Sequence, residues 1–227
     1  MQYSTFAAID IGSYDVILEI FEISKKQGIR SVDKICHRME LGKDTYTLRK
    51  IRPEMEEELC RVLADFVRIM EGYRVDAYRA MASSAISEAA NSLYVLGKIR
   101  QLTGLSVTVL SNSEQRFLGY KALAAMEDNF NKIIEKGTAI LDLDGGSFQI
   151  SLFDKDALVT TQNIRMGSLR IRERLAGIQS ETEHYEEMVE ELIWNEVSSF
   201  KKMYLKDRKI ENIMLIGDVF TDSVYQN

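Results

Sequence analysis

The chain is poor in residues that break or cross-link a fold, with one proline, two cysteines and two histidines among 227 residues. Cys36 and Cys60 are too few for a disulfide scaffold, and with two histidines they lack the spacing of a structural zinc site. No apolar run approaches the ~20 residues of a membrane span, and no basic segment followed by an apolar stretch marks a secretory signal. The predicted location is therefore a reducing cytoplasm.

A surplus of positive charge is also absent, since the formal net charge is -6. This balance argues against sequence-blind attraction to nucleic acid or to an anionic membrane, so an anionic substrate would need a local site. With 45% hydrophobic and 28% charged residues, the composition is that of a globular protein. No glycine- or serine-rich linker occurs, and any domain boundary is expected inside regular structure.

The hydrophobic pattern predicts a mixed α/β protein. Strands are predicted at 6–11, 16–23, 29–38, 75–83, 105–110, 138–143, 148–153, 157–163 and 210–216. Helices are predicted from Pro53 onward and at 86–102, 111–135, 168–176 and 181–206. A solvated helix face paired with Glu173 is expected for Arg165, Arg170, Arg172 and Arg174.

Two short segments repeat one pattern, at 8–13 (AIDIGS) and at 141–147 (LDLDGGS). Each places an aspartate in an apolar strand, then glycine and serine at a tight turn, then another strand. An internal repeat of this kind predicts two half-domains, each opening with a hairpin. Burying an aspartate is costly unless it is paired or binds metal, so Asp10 and Asp142 are expected to face a common cleft.

Glycines at such a turn let successive backbone N–H groups point the same way, and serine adds a hydroxyl donor, which suits a phosphate group. The alternative for each turn is an ordinary hairpin. Neither GxxxxGK[ST] nor GxGxxG occurs, which excludes a P-loop and a dinucleotide fingerprint.

The chain resembles the exopolyphosphatase and guanosine pentaphosphate phosphatase (Ppx/GppA) family of the acetate/sugar kinase, heat-shock chaperone and actin superfamily. The resemblance rests on five ordered segments, FAAIDIGSYDVILEIFEI, MASSAISEAANS, VTVLSNSEQRFLGYKAL, ILDLDGGSFQISLF and RMGSLRIRERL. It implies an α/β fold of two ribonuclease H-like (actin-like ATPase) lobes, each with a mixed sheet flanked by helices. The lobes are expected at 1–124 and 125–227, with the second incomplete at its C-terminus.

The resemblance also implies Mg²⁺-assisted attack of water on a terminal phosphate in the cleft between the lobes. Glu114 is the residue implied to activate the water, and Asp142 is the second implied catalytic residue. The implied phosphate-binding residues are Gly12, Ser13, Gly145, Gly146 and Ser147. The implied metal ligands are Asp10, Asp142 and Asp144.

Two of these residues have competing interpretations. Ser111-x-x-Glu114 is a capping box, in which the serine and the glutamate satisfy backbone donors at a helix start. Asp144 puts a carboxylate in a phosphate loop, where two unit charges ~4 Å apart repel by roughly 4 kcal/mol at an effective dielectric of ~20. Because Asp142 and Asp144 are two residues apart on a strand, Asp144 is alternatively a metal ligand.

The sequence departs from the family pattern at Tyr14, Ser87, Gln115, Asp144, Phe148, Gln149 and Asp218. The first hypothesis is a phosphohydrolase that releases terminal phosphate from inorganic polyphosphate or pppGpp. The departures motivate the alternative, a non-catalytic phosphate- or nucleotide-binding regulatory homologue. A sugar or acetate kinase is a weaker third hypothesis, because no adenosine-binding segment is recognisable. The expected partner is a phosphorylated small molecule or polyphosphate, and a homodimer is compatible with the sequence.

Overall fold

The computed structural model describes residues 3–127, 129–179, 184–206 and 208–217, without the side chains of 177–179. These residues form two compact units, Met1–Ser113 and Glu114–Asn227. The division lies earlier than the predicted boundary between 124 and 125. The helix that begins at Asn112 hydrogen bonds to the second unit through Gln115, Arg116 and Tyr120.

The first unit is built on a five-stranded sheet. Its strands are β1 (Ser4–Ile11), β2 (Asp15–Ser24), β3 (Gly28–Arg38), β4 (Ala77–Ala82) and β5 (Val107–Val109). The order is β3-β2-β1-β4-β5, with β1 antiparallel to β2 and parallel to β4. Alternate residues of β1, namely Ala7, Ile9 and Ile11, are fully buried in the core.

The helices of the first unit are α1 (Leu41–Leu48), α2 (Pro53–Gly72), α3 (Ser84–Ser87) and α4 (Ser92–Thr103). Helix α2 begins with Pro53 in its first turn and buries one apolar face, including Leu59, Leu63 and Phe66, in the sheet's core. Gly104 ends α4 in a left-handed conformation with φ 73°, as glycine permits.

The second unit repeats the strand arrangement of the first. Its strands are β6 (Thr138–Leu143), β7 (Phe148–Asp154), β8 (Ala157–Ile164) and β9 (Asn212–Ile216). The order is β8-β7-β6-β9, with β6 antiparallel to β7 and parallel to β9. The predicted repeat and the fold class of two mixed-sheet, ribonuclease H-like lobes are therefore confirmed.

Helices flank the second sheet on both faces. They are α5 (Asn112–Met126), α6 (Phe130–Ile134), α7 (Ser168–Gln179) and α8 (Tyr185–Tyr204). Phe200 of α8 packs with Phe148 and Ile150 on one face. On the other face, Phe130 of α6 packs with Ile140.

Apart from shifts of a few residues at the ends of elements, the described structure differs from the predicted elements in three places. The predicted helix 86–102 is broken between α3 and α4, where the Asn91 side chain bonds both the N–H and the C=O of Ile51. The predicted helix 111–135 is two helices, and Asp128 between them lies outside the described residues. Helix α1 was not predicted, and it lies between two left-handed residues, Glu40 and Arg49.

No helix in the described part of the chain is both long and apolar enough to cross a membrane.

Candidate functional site

The turn between β6 and β7 is held by the segment that starts α7. Asp144 N donates to Ser147 O at 3.0 Å and closes the turn. The three successive carbonyls of Asp144, Gly145 and Gly146 then accept hydrogen bonds from Ser168 and Arg170. Ser168 N reaches Asp144 O at 3.2 Å, Arg170 N reaches Gly145 O at 3.0 Å, and Arg170 Nε reaches Gly146 O at 2.9 Å.

The hydrogen bonds to these carbonyls determine the direction of the N–H groups in the same peptide units. In a trans peptide the N–H lies antiparallel to the C=O of the same unit. Each N–H of Gly145, Gly146 and Ser147 therefore points away from the donor that binds the carbonyl of the same peptide unit. Successive backbone N–H groups with a shared direction form a concave anion site. We call residues 144–147 the second loop.

Gly167 is required for the second loop to keep this geometry. A Cβ on Gly167 would lie under 3.0 Å from Ser147 N, Asp144 O and Gly145 C. All three are backbone atoms, so no side-chain rotation relieves the collision. Gly167 and Arg170 were not among the predicted site residues. Arg172 does pair with Glu173, at 3.1 Å, whereas Arg170 anchors the second loop.

Asp144 has a specific partner on α5. The Gln115 Nε2 amide donates to Asp144 Oδ2 at 2.7 Å, and both residues are half-buried. In the sequence, Gln115 and Asp144 are two separate departures from the family pattern. Gln115 removes a carboxylate, and Asp144 adds one. The structure shows them as a pair in which a neutral donor holds a carboxylate, a bond stronger than one between neutral groups.

Replacing Gln115 by glutamate should therefore destabilise the second unit at neutral pH. Two carboxylates in place of the amide–carboxylate pair repel by up to about 4 kcal/mol, less where water screens them. The like charges raise the folded-state pKa of one carboxyl, so the destabilisation is full above that pKa and fades as pH falls toward ~4. Thermal unfolding between pH 4 and pH 8 measures this.

The matched control is Gln101→Glu, which adds the same charge at an exposed position of α4. It should change stability by no more than about 1 kcal/mol. Adding Asp144→Asn to Gln115→Glu should restore most of the loss. An equal, pH-independent effect of the two single changes would contradict the pairing.

Asp142 belongs to a polar row across the sheet. It lies opposite Gln149 on β7, and Gln149 lies opposite Asn163 on β8. Directly paired residues share a sheet face, so all three face the α5 side. Asn163 Nδ2 also donates to Ser147 Oγ, at 3.3 Å, which ties the row to the second loop. Asp142 is half-buried at the end of the row.

A second polar row lies two residues further from the second loop along β7 and β8. Ser151 pairs with Thr161 across β7 and β8, and the Tyr120 hydroxyl donates to Ser151 Oγ at 2.5 Å. Burial raises the pKa of the Tyr120 phenol above its ordinary value. The hydrogen bonds to Ser151 and Thr161 and the charge of Arg116 lower that pKa, while the charge of Asp142 raises it. These groups therefore share one electrostatic environment.

The turn between β1 and β2 is closed by Gly12 N, which donates to Asp15 O at 2.9 Å. Ser13 is buried, and its hydroxyl lies 2.6 Å from the Tyr46 hydroxyl, which in turn lies 2.8 Å from Ser84 Oγ. This chain of hydroxyls connects the turn to α1 and α3. The predicted phosphate role of Ser13 stays a prediction, and the structure adds a positioning role for its hydroxyl.

Asp10 lies on the face of β1 opposite Ala7, Ile9 and Ile11, and it is exposed. Strand alternation explains this, since every second side chain points away from the core. Because Asp10 is exposed, the unfavourable free energy of burying an aspartate, on which the sequence argument rested, does not apply to this residue. Its role as a metal ligand stays a prediction.

Glu114 is exposed and is the third residue of α5, with Ser111 directly before the helix. This is the register of a capping box. The next residue, Gln115, contacts the second loop, so Glu114 lies on the turn of α5 nearest to Asp144. Both interpretations of Glu114 are compatible with this position.

Within the described ranges, no three histidine, cysteine, aspartate or glutamate side chains form a group that could hold a metal ion. Mg²⁺ is commonly bound by one or two carboxylates together with substrate phosphates. Asp142 and Asp144, at the end of β6, fit that smaller donor set.

Three other departures from the family pattern, Phe148, Ser87 and Asp218, lie in different parts of the chain. Phe148 is buried in the apolar core with Ile150, on the face away from α5. Ser87, at the end of α3, is exposed. Gly217 has φ 120° and lies close against the backbone of Leu143. Asp218 lies outside the described residues.

Comparisons with known proteins bear on the family and the fold of the chain. A model of the Ppx/GppA phosphatase family matches residues 19–226. The chain is 22% identical, over 174 residues, to a bifunctional 3-dehydroquinate synthase/phosphatase of Fusobacterium nucleatum subsp. nucleatum. That match covers 74% of this chain and 26% of the relative, so the chain spans about a quarter of the relative's length.

Solved structures show the same fold. The Aquifex aeolicus member of the Ppx/GppA family is 22% identical with a TM-score of 0.71, over 100% of this chain and 72% of that chain. An exopolyphosphatase from Cytophaga hutchinsonii is 18% identical with a TM-score of 0.71, over 94% of this chain and 66% of that chain. At these identities the likeness concerns the fold.

Proposed function

Since the chain belongs to the Ppx/GppA phosphatase family, we propose that it is a phosphohydrolase that releases terminal phosphate from inorganic polyphosphate or pppGpp. The observation that carries the proposal is the second loop. Ser168 and Arg170 bind its three carbonyls, so the three N–H groups of the same peptide units are directed away from those donors and are available to an anion. A tetrahedral oxyanion with several equivalent oxygens matches such a set of donors.

The proposed chemistry assigns a task to each part of the site. The N–H groups of Gly145, Gly146 and Ser147 hold the terminal phosphoryl group and stabilise charge as the bond breaks. Asp142 and Asp144 would hold Mg²⁺, which neutralises phosphate oxygens when bound. Glu114 orients a water molecule and accepts its proton as the water attacks phosphorus. The phosphate chain leaves as the shortened anion.

The direct test is release of inorganic phosphate by the full chain from polyphosphate and from pppGpp, with Mg²⁺ or with excess EDTA. The proposal predicts release that requires the metal and that is greater for one of the two substrates. Absence of release from both substrates, by protein whose thermal unfolding shows it to be folded, would reject a phosphohydrolase of this kind.

The second candidate function is phosphate or nucleotide binding without turnover. The observation that favours it is Gln149, a neutral amide in the polar row beside Asp142. An amide cannot act as a base. This function predicts that polyphosphate or pppGpp raises the unfolding temperature while no phosphate is released. Metal-dependent release of phosphate would support the phosphohydrolase and contradict this second candidate function.

A further inference from the structure

Helix α5 brings a cation to the face of the second sheet. Gln115 reaches the second loop, and the next residue, Arg116, is half-buried and donates from Nη1 to Thr161 Oγ1 at 2.7 Å. Thr161 lies on β8, directly opposite Ser151. The guanidinium is thus placed over the second polar row by a specific hydrogen bond.

The distance from this cation to the second loop follows from the strand geometry. Asn163 lies two residues beyond Thr161 on the same face of β8, and it donates to Ser147 Oγ at 3.3 Å. Two residues of a strand span about 7 Å. The residue that holds Arg116 therefore lies about 7 Å along β8 from the residue that contacts the second loop, on the sheet face that carries Asp142.

The chemistry of the arginine side chain suits a phosphate chain. A phosphate chain is itself strongly anionic. Arginine keeps its charge at all relevant pH values and presents its donors in a planar fork that suits phosphate oxygens. The charge of Arg116 lowers the pKa of the Tyr120 phenol, against the larger effect of burial, so the guanidinium lies close to the second polar row.

We infer that Arg116 is an anion-binding residue that contacts the phosphate group following the one held by the second loop, so that the site selects compounds with several linked phosphates over a single phosphate. This inference rests on the proposed function for the identity of the loop's ligand. It concerns binding, and turnover is not needed to test it.

The test measures binding of tripolyphosphate and of inorganic phosphate to the full chain by calorimetry, without metal and with Mg²⁺. Loss of a charge-assisted hydrogen bond in Arg116→Gln should weaken tripolyphosphate binding by about tenfold to hundredfold. Inorganic phosphate binding should change by about threefold or less. The matched control is Lys121→Gln, which removes one positive charge from an exposed position of the same helix and should change tripolyphosphate binding by about twofold or less.

Two further variants separate binding from support of β8. Thr161→Val removes the hydroxyl that holds Arg116 but keeps the guanidinium, and it should bind tripolyphosphate within about threefold of the wild type. Arg116→Lys keeps the charge and should recover part of the affinity, which keeps the test valid if Arg116→Gln unfolds. A loss in Thr161→Val as large as that in Arg116→Gln would show a purely structural role and overturn the inference.

The remaining outcomes distinguish this inference from the proposed function. If the wild type hydrolyses polyphosphate but Arg116→Gln binds tripolyphosphate normally, only the inference fails. If the wild type binds tripolyphosphate through Arg116 without releasing phosphate, the inference stands and the enzymatic function fails. If the wild type binds neither ligand, both fail.

Discussion

Replacing Gly167 by alanine should destroy the second loop and lower the stability of the second unit. The added Cβ would lie under 3.0 Å from three backbone atoms of residues 144–147. Overpacking of this kind typically lowers the free energy of unfolding by 1–3 kcal/mol. We expect about the upper end of that range here, because backbone atoms must move. The displacement also breaks the hydrogen bonds from Ser168 and Arg170, each contributing about 1 kcal/mol.

Thermal unfolding and tripolyphosphate binding measure the two consequences. The overpacking loss of about 3 kcal/mol alone corresponds to a fall in Tm of roughly 6–12 °C, and the lost hydrogen bonds lower Tm further. Tripolyphosphate binding should fall below detection. The control is Gly97→Ala in α4, where an added Cβ meets nothing within 4 Å. That change should be neutral or stabilising by up to about 1 kcal/mol. If both variants keep wild-type stability and binding, the carbonyl-held loop is not the anion site.

Replacing Glu114 by glutamine should lower phosphate release by about 10²- to 10⁴-fold while leaving substrate binding nearly unchanged. The amide keeps the size of the side chain and its ability to hydrogen bond, but it cannot accept the proton of the attacking water. In the proposed mechanism this lowers kcat with little effect on KM. Steady-state rates with polyphosphate and pppGpp, in the presence of Mg²⁺, give both constants.

The competing interpretation of Glu114 as a helix cap needs a control for the loss of a negative charge in the first turn of a helix. Glu54 lies in the first turn of α2 as Glu114 lies in the first turn of α5. Glu54→Gln should cost the same ~0.3–1 kcal/mol of interaction with the helix dipole and leave the rate unchanged. Equal rates for wild type and Glu114→Gln would remove Glu114 from the catalytic mechanism and leave it only a role at the start of α5.

The hairpins illustrate what local sequence can predict. Strand β6 was predicted with the bounds that the structure shows, 138–143, because an apolar, β-branched run stops at the turn Asp144-Gly145-Gly146-Ser147. The same pattern predicted β1 and β2 around Gly12. Such turns depend on residues within a few positions of one another, and the repeat of the pattern predicted the repeated topology.

The breaks in the helices show where local reasoning fails. The apolar pattern at 86–102 continues across Asn91, yet the chain leaves the helix there. The reason is a pair of hydrogen bonds from the Asn91 side chain to the backbone of Ile51, forty positions earlier. Likewise, α1 has little apolar periodicity of its own, and Leu41 and Thr45 are buried by the surrounding unit. Tertiary contacts override weak local preference in both places.

The amino-acid sequence by itself determined the two hairpin-led halves, the glycine turns and the family, because these depend on side-chain periodicity and on motifs a few residues long. Only the tertiary structure decided that Gln115, 29 positions away, holds Asp144, that Ser168 and Arg170 orient the donors of the second loop, and that Arg116 lies over the polar face. Each of these contacts joins segments whose distance in space depends on how α5 and α7 pack on the sheet. The hydrophobic periodicity and the short motifs of the sequence do not determine that distance.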